Sequence, residues 1–248
     1  MSERTSARRG SAGRLGDGEV GGRPADDAVA SAGTDLRPLP RAFFDRPTDR
    51  VARDLLGKLL VRQIRPEAGP AGAGAASSIV ARIVEVEAYL GERDAASHAR
   101  RGPTPRAAMM FGPPGHLYVY LIYGMHHCMN FVTETDGRAG AVLIRAAELV
   151  TPDRPGDRGL PVSAAAAAAL SGPGKLCRAL GITLAHKGLD LTAGADLFVA
   201  QAHDDRGRRA PRRKASPRIG VDYAGDWAAR KLRFYIPGHP SVSGRPKI

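Results

Sequence analysis

The chain has 248 residues and a formal net charge of +12, with 43% hydrophobic and only 5% aromatic residues. No apolar run approaches the ~18 residues of a membrane span, the N-terminal segment lacks the apolar stretch of a secretion signal, and two cysteines, Cys128 and Cys177, are too few for a disulfide framework or a four-cysteine metal site. The composition therefore argues against a membrane protein and a cysteine-stapled secreted scaffold, and it favours an intracellular protein with an anionic partner.

Residues 1–37 are predicted to form a disordered tail. They carry six basic and six acidic side chains, are rich in Gly, Ser and Ala, and contain no aromatic residue. Such a segment cannot bury enough apolar surface to offset the entropy lost on ordering. The whole positive surplus then falls within residues 38–248, which we expect to form one folded domain.

The first part of this domain reads as a helix followed by a loop. Thr48 or Asp49 could cap the helix, and residues 65–78 have the composition of a flexible loop. The apolar positions that recur at helical spacing are Val51, Leu55, Leu56, Leu59 and Leu60.

The next segment, residues 79–89, is rich in β-formers and predicts a strand. Strand alternation places Ile83, Glu85, Glu87 and Tyr89 on one face. The same alternation places the intervening residues on the opposite face, namely Arg82, Val84 and Val86.

Strands and helices are scattered through the rest of the chain. Two further strands are predicted at 116–123 and 141–145, and a last one at 232–236. The turn Gly172-Pro173-Gly174-Lys175 begins a helix, whereas the alanines at 164–169 either extend a helix or form a low-complexity insert. Because no regular βαβ repeat is evident, a mixed α/β domain is predicted rather than a doubly wound sheet.

The positive charge is concentrated in three runs of the folded part. The densest lies between Arg206 and Arg218, and the others are Arg100, Arg101 and Arg106, and Arg230, Lys231 and Arg233. A single basic run is as easily a solvated loop. Three runs in one domain favour a polyanion, for which phosphate backbones are the commonest choice.

The candidate chemistry centres on acids and tyrosines. Glu85 and Glu87 would repel each other, which could keep one of them poised as a base. Four of the six tyrosines lie between residues 89 and 123, either as core residues or as a stacking pocket. The GPGK turn is no P-loop. Either its helix-start N–H groups bind one phosphate together with Lys175, or it is a plain turn at the start of a helix. The histidines lack metal-binding spacing, so neither a metal nor a cofactor is expected.

At these residues the sequence resembles the alkyladenine (3-methyladenine) DNA glycosylase family, the type found in mammals and many bacteria. The similarity begins near Arg41 and runs to the end of the chain. Its longest stretch, residues 84–132, reads VEVEAYLGERDAASHARRGPTPRAAMMFGPPGHLYVYLIYGMHHCMNFV. Supporting stretches are AVLIRAAE at 141–148, GPGKLCRALGI at 172–182 and RIGVDYAGDWAARKLRFYIPGHPSVS at 218–243.

The resemblance implies a single compact α+β domain whose curved, mainly antiparallel β-sheet is surrounded by helices and carries a basic DNA-binding face. It implies a monofunctional enzyme of base excision repair that acts as a monomer and flips damaged purines out of duplex DNA. The bases concerned are 3-methyladenine, 7-methylguanine, hypoxanthine and ethenoadenine, which the motifs do not rank.

The family's catalytic residues fall on Glu87 and Arg145. By resemblance, Glu87 deprotonates a water that attacks C1′ of the sugar, and Arg145 helps to hold that water, with the backbone carbonyl of Ile219 as a possible third contact. The residues that would bind the flipped base are Tyr89 and His98 on one side and Tyr120 on the other, with Asn130 screening against the guanine amino group.

The resemblance also implies which residues contact the duplex. Tyr123 would enter the gap left by the flipped base, with Met125 beside it. His126 stands where the mammalian type has an aromatic residue. Lys175 and Arg101 are the expected phosphate contacts.

Two other functions are weighed against this one. A glycosylase with lyase activity would need a lysine nucleophile, and the lysines lie outside the Glu87 motif. A non-enzymatic binder of structured nucleic acid would need only Tyr123 and the basic runs.

Overall fold

The computed structural model describes residues 36–64, 77–150, 168–201 and 211–244. The predicted N-terminal tail and the loop at 65–78 therefore lie almost entirely outside the described residues. So do most of the alanine tract and the part of the densest basic run from Arg206 to Ala210. The predictions made for these segments stay untested.

Three short α-helices are described: α1 (Arg41–Phe44), α2 (Thr48–Leu55) and α3 (Pro173–Ala179). Helix α2 ends sooner than the apolar spacing predicts, because Gly57 adopts a φ of +89° and redirects the chain. Leu59 and Leu60 lie in a strand instead. Helix α3 begins with Pro173 in its first turn, as the GPGK turn predicts.

Neither Thr48 nor Asp49 acts as the N-cap of α2. Thr48 lies inside the first turn, where its backbone N–H and its hydroxyl both donate to Oε1 of Glu134 at 2.8 Å. A carboxylate from a distant loop thus satisfies the start of the helix. The cap could not be read from the sequence, since Glu134 is 86 residues away.

Eight strands form one antiparallel sheet in the described part of the chain. Its main path runs in the order β3-β4-β5-β2-β1-β6, while β8 pairs with both β2 and β7. The sheet curls into a half-barrel with few helices, which confirms the mixed α/β prediction. The strands are β1 (Leu59–Ile64), β2 (Ser77–Tyr89), β3 (Leu117–Ile122), β4 (His126–Val132), β5 (Ala141–Val150), β6 (Leu197–Ala200), β7 (Lys214–Ser216) and β8 (Arg233–Tyr235).

One face of the sheet packs against the helices to form the main core. Phe44 of α1, Leu55 of α2 and Leu176 of α3 are fully buried there, in the same apolar cluster as Ile83 and Val86 of β2. A fully buried side chain of this kind contributes about 1.5–3 kcal/mol of hydrophobic free energy. The opposite face is left for other residues of β2 and its neighbours. Within the described residues, no helix is long and apolar enough to cross a bilayer.

Strand β2 contains a β-bulge that changes which residues share a face. Ile83 pairs with Ala147 and Glu85 with Ala146, so Val84 is an extra residue on β2. A bulge of this kind shifts the alternation by one residue. Ile83 therefore packs in the core with Val86, and the prediction that it shares a face with Glu85 and Glu87 is wrong.

A matching bulge lies on β5. Glu85 pairs with Ala146 and Val86 with Ile144, so Arg145 is the extra residue on that strand. Its carbonyl accepts a hydrogen bond at 3.0 Å from the N–H of Gly172, just before α3. The GPGK turn thereby stabilises the bulge, and the bulge directs the Arg145 side chain away from the core.

Candidate active site

A cavity of about 240 Å³ lies on the face of the sheet opposite the main core. Pockets for drug-sized ligands measure about 300–1,000 Å³, so this cavity suits a smaller molecule. It brings together most of the predicted site residues. Its lining includes Tyr89, His98, Arg106, Tyr118, Tyr120, Tyr123, Cys128, Asn130, Leu143, Arg145, Pro173, Ile219 and Tyr223.

Glu87 is fully buried and is not among the described residues that line the cavity, but it contacts three that are, Tyr89, Ile219 and Arg145. Its Oε2 accepts from the hydroxyl of Tyr89 at 2.9 Å. Its Oε1 accepts from the N–H of Ile219 at 2.8 Å and lies 3.2 Å from a terminal nitrogen of Arg145. A carboxylate offers about four acceptor positions, so these three donors, counted over the described part of the chain, leave one position at Oε2.

The Tyr89 hydroxyl is held in its donor form. Burial, followed by the neighbouring Glu87 carboxylate, raises the pKa of Tyr89 well above its usual value. The ring also lies 4.7 Å from the guanidinium carbon of Arg218. Tyr89 therefore donates to Glu87 as a neutral hydroxyl while its ring lines the cavity.

Glu85 occupies a different environment from Glu87, although only one residue separates them. Its Oε1 accepts from Arg145 Nε at 3.0 Å, from Arg233 Nε at 2.6 Å and from the Ser243 hydroxyl at 3.0 Å. Its Oε2 accepts from the Ser243 N–H at 2.6 Å. Glu85 is thus fully engaged as a buried counter-ion, and the two acids do not form an isolated repelling pair.

Arg145 bridges the two carboxylates. Burial alone would lower its pKa, but Glu87 and Glu85 outweigh that effect and raise it. Its Nε is committed to Glu85 and one terminal nitrogen donates to Ser243 Oγ at 3.1 Å, while the other faces Glu87. The guanidinium is therefore fixed in orientation before any ligand binds.

His98 lies with the tyrosines of β3. Its ring centroid is 4.6 Å from that of Tyr120, edge to face, and its Nδ1 is 3.0 Å from the Tyr118 hydroxyl. A base stacked between two rings needs about 7 Å between them, so none fits between His98 and Tyr120. The structure therefore groups His98 with Tyr120, whereas the resemblance had placed it on the side of Tyr89.

The aromatic wall is neutral around physiological pH. Burial, followed by the nearby charge of Arg106, lowers the pKa of His98 to about 4. Burial raises the pKa of Tyr118 and of Tyr120. Asn130 completes this wall and is held by a 3.1 Å hydrogen bond from its Nδ2 to the Tyr118 carbonyl.

The hairpin between β3 and β4 projects beside the mouth of the cavity. Tyr123 has a φ of +53° and Gly124 a φ of +70°, and Met125 N–H donates to the Ile122 carbonyl at 3.2 Å. This backbone is of the type I′ kind, which favours Asn and Gly. Tyr123 is nevertheless present and is 82% exposed, beside Met125 at 69%.

The predicted basic contacts separate into two groups. Lys175 and Arg101 are exposed. His126 is also exposed, and its side chain lies against Gly174. In contrast, Arg218 and Arg233 are buried and paired with carboxylates. These two arginines were grouped with surface charge in the sequence, and the structure shows that they are internal.

Several residues of the site were not singled out from the sequence. Asp94 accepts from Arg218, Ser243 contacts Glu85, and Tyr223 lines the cavity mouth. An acid in a polar loop and a serine near the C-terminus carry no local signal of such roles. Tyr223 is distinctive only because tyrosines are few. Among the described residues, no group of three His, Cys, Asp or Glu side chains is placed to hold a metal ion.

Comparison with known proteins shows that the chain matches one family along most of its length. The model of the methylpurine-DNA glycosylase family matches residues 42–240. Three similar proteins carry 3-methyladenine DNA glycosylase in their names. One from Methanocella arvoryzae is 50% identical over 84% of this chain and 96% of its own length. One from Anaeromyxobacter dehalogenans is 50% identical over 84% and 86%, and one from Legionella pneumophila is 42% identical over 84% and 99%.

Proposed function

Because the chain belongs to the methylpurine-DNA glycosylase family and is therefore a hydrolase of N-glycosyl bonds in DNA, we propose that it releases damaged purines by means of a water activated by Glu87. The observation that carries this proposal is the set of contacts that the Glu87 carboxylate makes. Among the residues that the structure describes, three donors hold the carboxylate, which leaves one acceptor position on Oε2.

In the proposed reaction, the water donates to Glu87 and transfers its proton there as its oxygen attacks C1′ of the sugar. The bond between C1′ and the base nitrogen breaks, and its electron pair leaves with the base. An alkylated purine accepts those electrons readily, so the sugar carries much of the positive charge in the transition state. The buried negative charge of Glu87 stabilises that charge and also acts as the base.

Arg145 acts in this scheme by orientation. Its guanidinium faces Glu87 and is anchored behind by Glu85, which allows it to hold the carboxylate and the water in one arrangement. The Ile219 N–H holds the Glu87 carboxylate, and the Ile219 carbonyl is proposed as a third contact of the water.

The flipped base is proposed to stack between Tyr89 on one side and the His98–Tyr120 pair on the other. A purine that carries positive charge gains cation–π attraction from these rings. The neutral state of His98 around pH 7 avoids repulsion of such a base. Asn130 lies in the same wall and is proposed to screen against the guanine amino group.

The duplex is proposed to bind at the cavity mouth. Tyr123 and Met125 at the hairpin tip would fill the gap in the base stack, which offsets part of the few kcal/mol that flipping costs. Lys175, Arg101 and His126 would contact the backbone without reading sequence. The protein is proposed to act as a monomer, which gel filtration with light scattering tests.

The proposal is tested by Glu87→Gln, with Glu92→Gln as the matched control at an exposed carboxylate. Single-turnover release from duplexes carrying 3-methyladenine, 7-methylguanine, hypoxanthine or ethenoadenine should fall about 10²- to 10⁴-fold in the first variant and stay unchanged in the second. Duplex affinity should change little in either. If Glu87→Gln binds the duplex normally and releases the base at the wild-type rate, Glu87 is not the catalytic group.

A trapping experiment on the same duplexes separates hydrolysis from lyase chemistry. Among the described residues, the cavity lining contains no lysine, which supports attack by water. Borohydride should therefore trap no covalent adduct with the damaged strand. A trapped adduct would overturn the water-based reaction while leaving the substrate assignment in place.

A further inference from the structure

Tyr223 is an exposed aromatic residue at the cavity mouth that the proposed reaction does not use. Its side chain is 71% exposed, close to the 82% of Tyr123, and both line the same cavity. Ile219, at 38% exposed, lies on the same rim. Apolar groups exposed around a cavity mark a contact surface more often than singly scattered ones do.

The backbone that carries Tyr223 is firmly held. Val221 and Ala224 are buried on either side of it and pack against Ala96. The Tyr223 hydroxyl donates to the Ala96 carbonyl at 3.3 Å. The ring is thus presented outward from a fixed position, as a stacking platform requires.

The position of Tyr223 indicates which part of DNA it meets. The same segment supplies the Ile219 N–H to Glu87, so on the proposed function it lies next to the sugar of the flipped nucleotide. On the same function the damaged strand passes this segment as it leaves the cavity, whereas Tyr123 on the β3–β4 hairpin is proposed to fill the gap in the duplex.

We propose that Tyr223 stacks on the nucleotide adjacent to the flipped one in the damaged strand. This inference rests on the proposed function, because it takes the cavity to hold a flipped base. Stacking of this kind tolerates any base, since every base presents a π-face. It therefore provides a hold on the damaged strand that does not depend on the complementary strand.

The test measures binding in the Glu87→Gln background, by anisotropy of labelled oligonucleotides that contain ethenoadenine, single-stranded and duplex. Adding Tyr223→Ala should weaken both complexes about 10-fold, the scale of one lost base–aromatic stack. Adding Tyr223→Phe, which keeps the ring and loses the hydroxyl, should change neither more than about twofold. Adding Tyr123→Ala should weaken the duplex complex alone.

Two results would overturn the inference. One is unchanged single-strand affinity in the Tyr223→Ala protein, and the other is an equal loss in the Phe variant, which would make the Ala96 bond the important element. Because these measurements record binding alone, in the Glu87→Gln background, their outcome does not depend on whether the wild-type protein releases the base. A failed release assay would count against the proposed function and not against the stacking.

Discussion

The guanidinium of Arg218 and the carboxylate of Asp94 form a two-point ion pair in which both side chains are fully buried. Asp94 also accepts from the N–H groups of Leu90 and Ala96, each at 3.0 Å, and Arg218 donates to the Ala88 carbonyl at 2.9 Å. The pair therefore joins β2, the loop after it and the segment that contains Ile219. Glu87 lies on the first of these parts and accepts a hydrogen bond from the third, through the Ile219 N–H.

Replacing Asp94 by Asn should destabilise the protein by about 3–5 kcal/mol, because it leaves the Arg218 charge buried without its partner. Urea unfolding at pH 7 measures the change. Asp49→Asn is the control, since its pair with Arg53 is 42% and 48% exposed and should contribute less than about 1 kcal/mol. Equal losses in the two variants would contradict the structural role assigned to the buried pair.

Replacing Glu85 by Gln should also cost about 3–5 kcal/mol, because the buried Arg233 loses the charge of its partner and the buried Arg145 keeps only the second of its two carboxylates, Glu87. The amide would also bring a donor toward the donors of Ser243. Base release should fall as well, since Arg145 is no longer anchored. Thermal unfolding and single-turnover release measure the two effects.

Ser243→Ala is the graded control for this network. It removes only the hydroxyl bonds to Glu85 and Arg145 and should cost about 1–2 kcal/mol. A Glu85→Gln protein as stable as Ser243→Ala would show that the carboxylate charge is unimportant.

Tyr123→Asn should make the protein more stable and less active on duplex DNA. Asn tolerates the positive φ of this position better than Tyr does, so relief of backbone strain should add up to about 1 kcal/mol, or about 2–4 °C in Tm. Flipping should weaken because the ring that fills the gap is lost. Calorimetry and the fluorescence of ethenoadenine in a duplex measure the two effects, and a less stable variant would contradict the strain argument.

His98 should make the fold sensitive to acid. Its pKa is about 4 in the folded protein and 6.5 in the unfolded chain, so the unfolded state binds more protons between these values. Stability should therefore be unaffected above about pH 6.5 and decline as the pH falls toward 4, by at most about 1.4 kcal/mol per unit. His98→Gln should lose less stability between pH 7 and pH 4.5 than the wild type does. Identical losses would show that His98 titrates normally.

The strand of the EVEAY motif and the tyrosines that follow it were predictable, because alternation and resemblance both point to Glu87 and Tyr89. The bulges were not, since Val84 and Arg145 become extra residues only when β2 and β5 are paired. The roles of Arg218 and Arg233 were also hidden, because a buried arginine and a solvated one look alike in a basic run. The grouping of His98 depended on a hydrogen bond to Tyr118, across 20 residues.

The bulges at Val84 and Arg145 cancel each other, so that the pairing of β2 with β5 resumes the same register on both sides. The site is thus built on two compensating bulges in an otherwise regular sheet. An insertion or deletion of one residue in either strand would leave the bulge on the other strand uncompensated and shift the remaining pairs by one position. A change of length in one of these strands therefore needs a matching change in the other to keep the pairing, whereas a single substitution leaves the register unchanged.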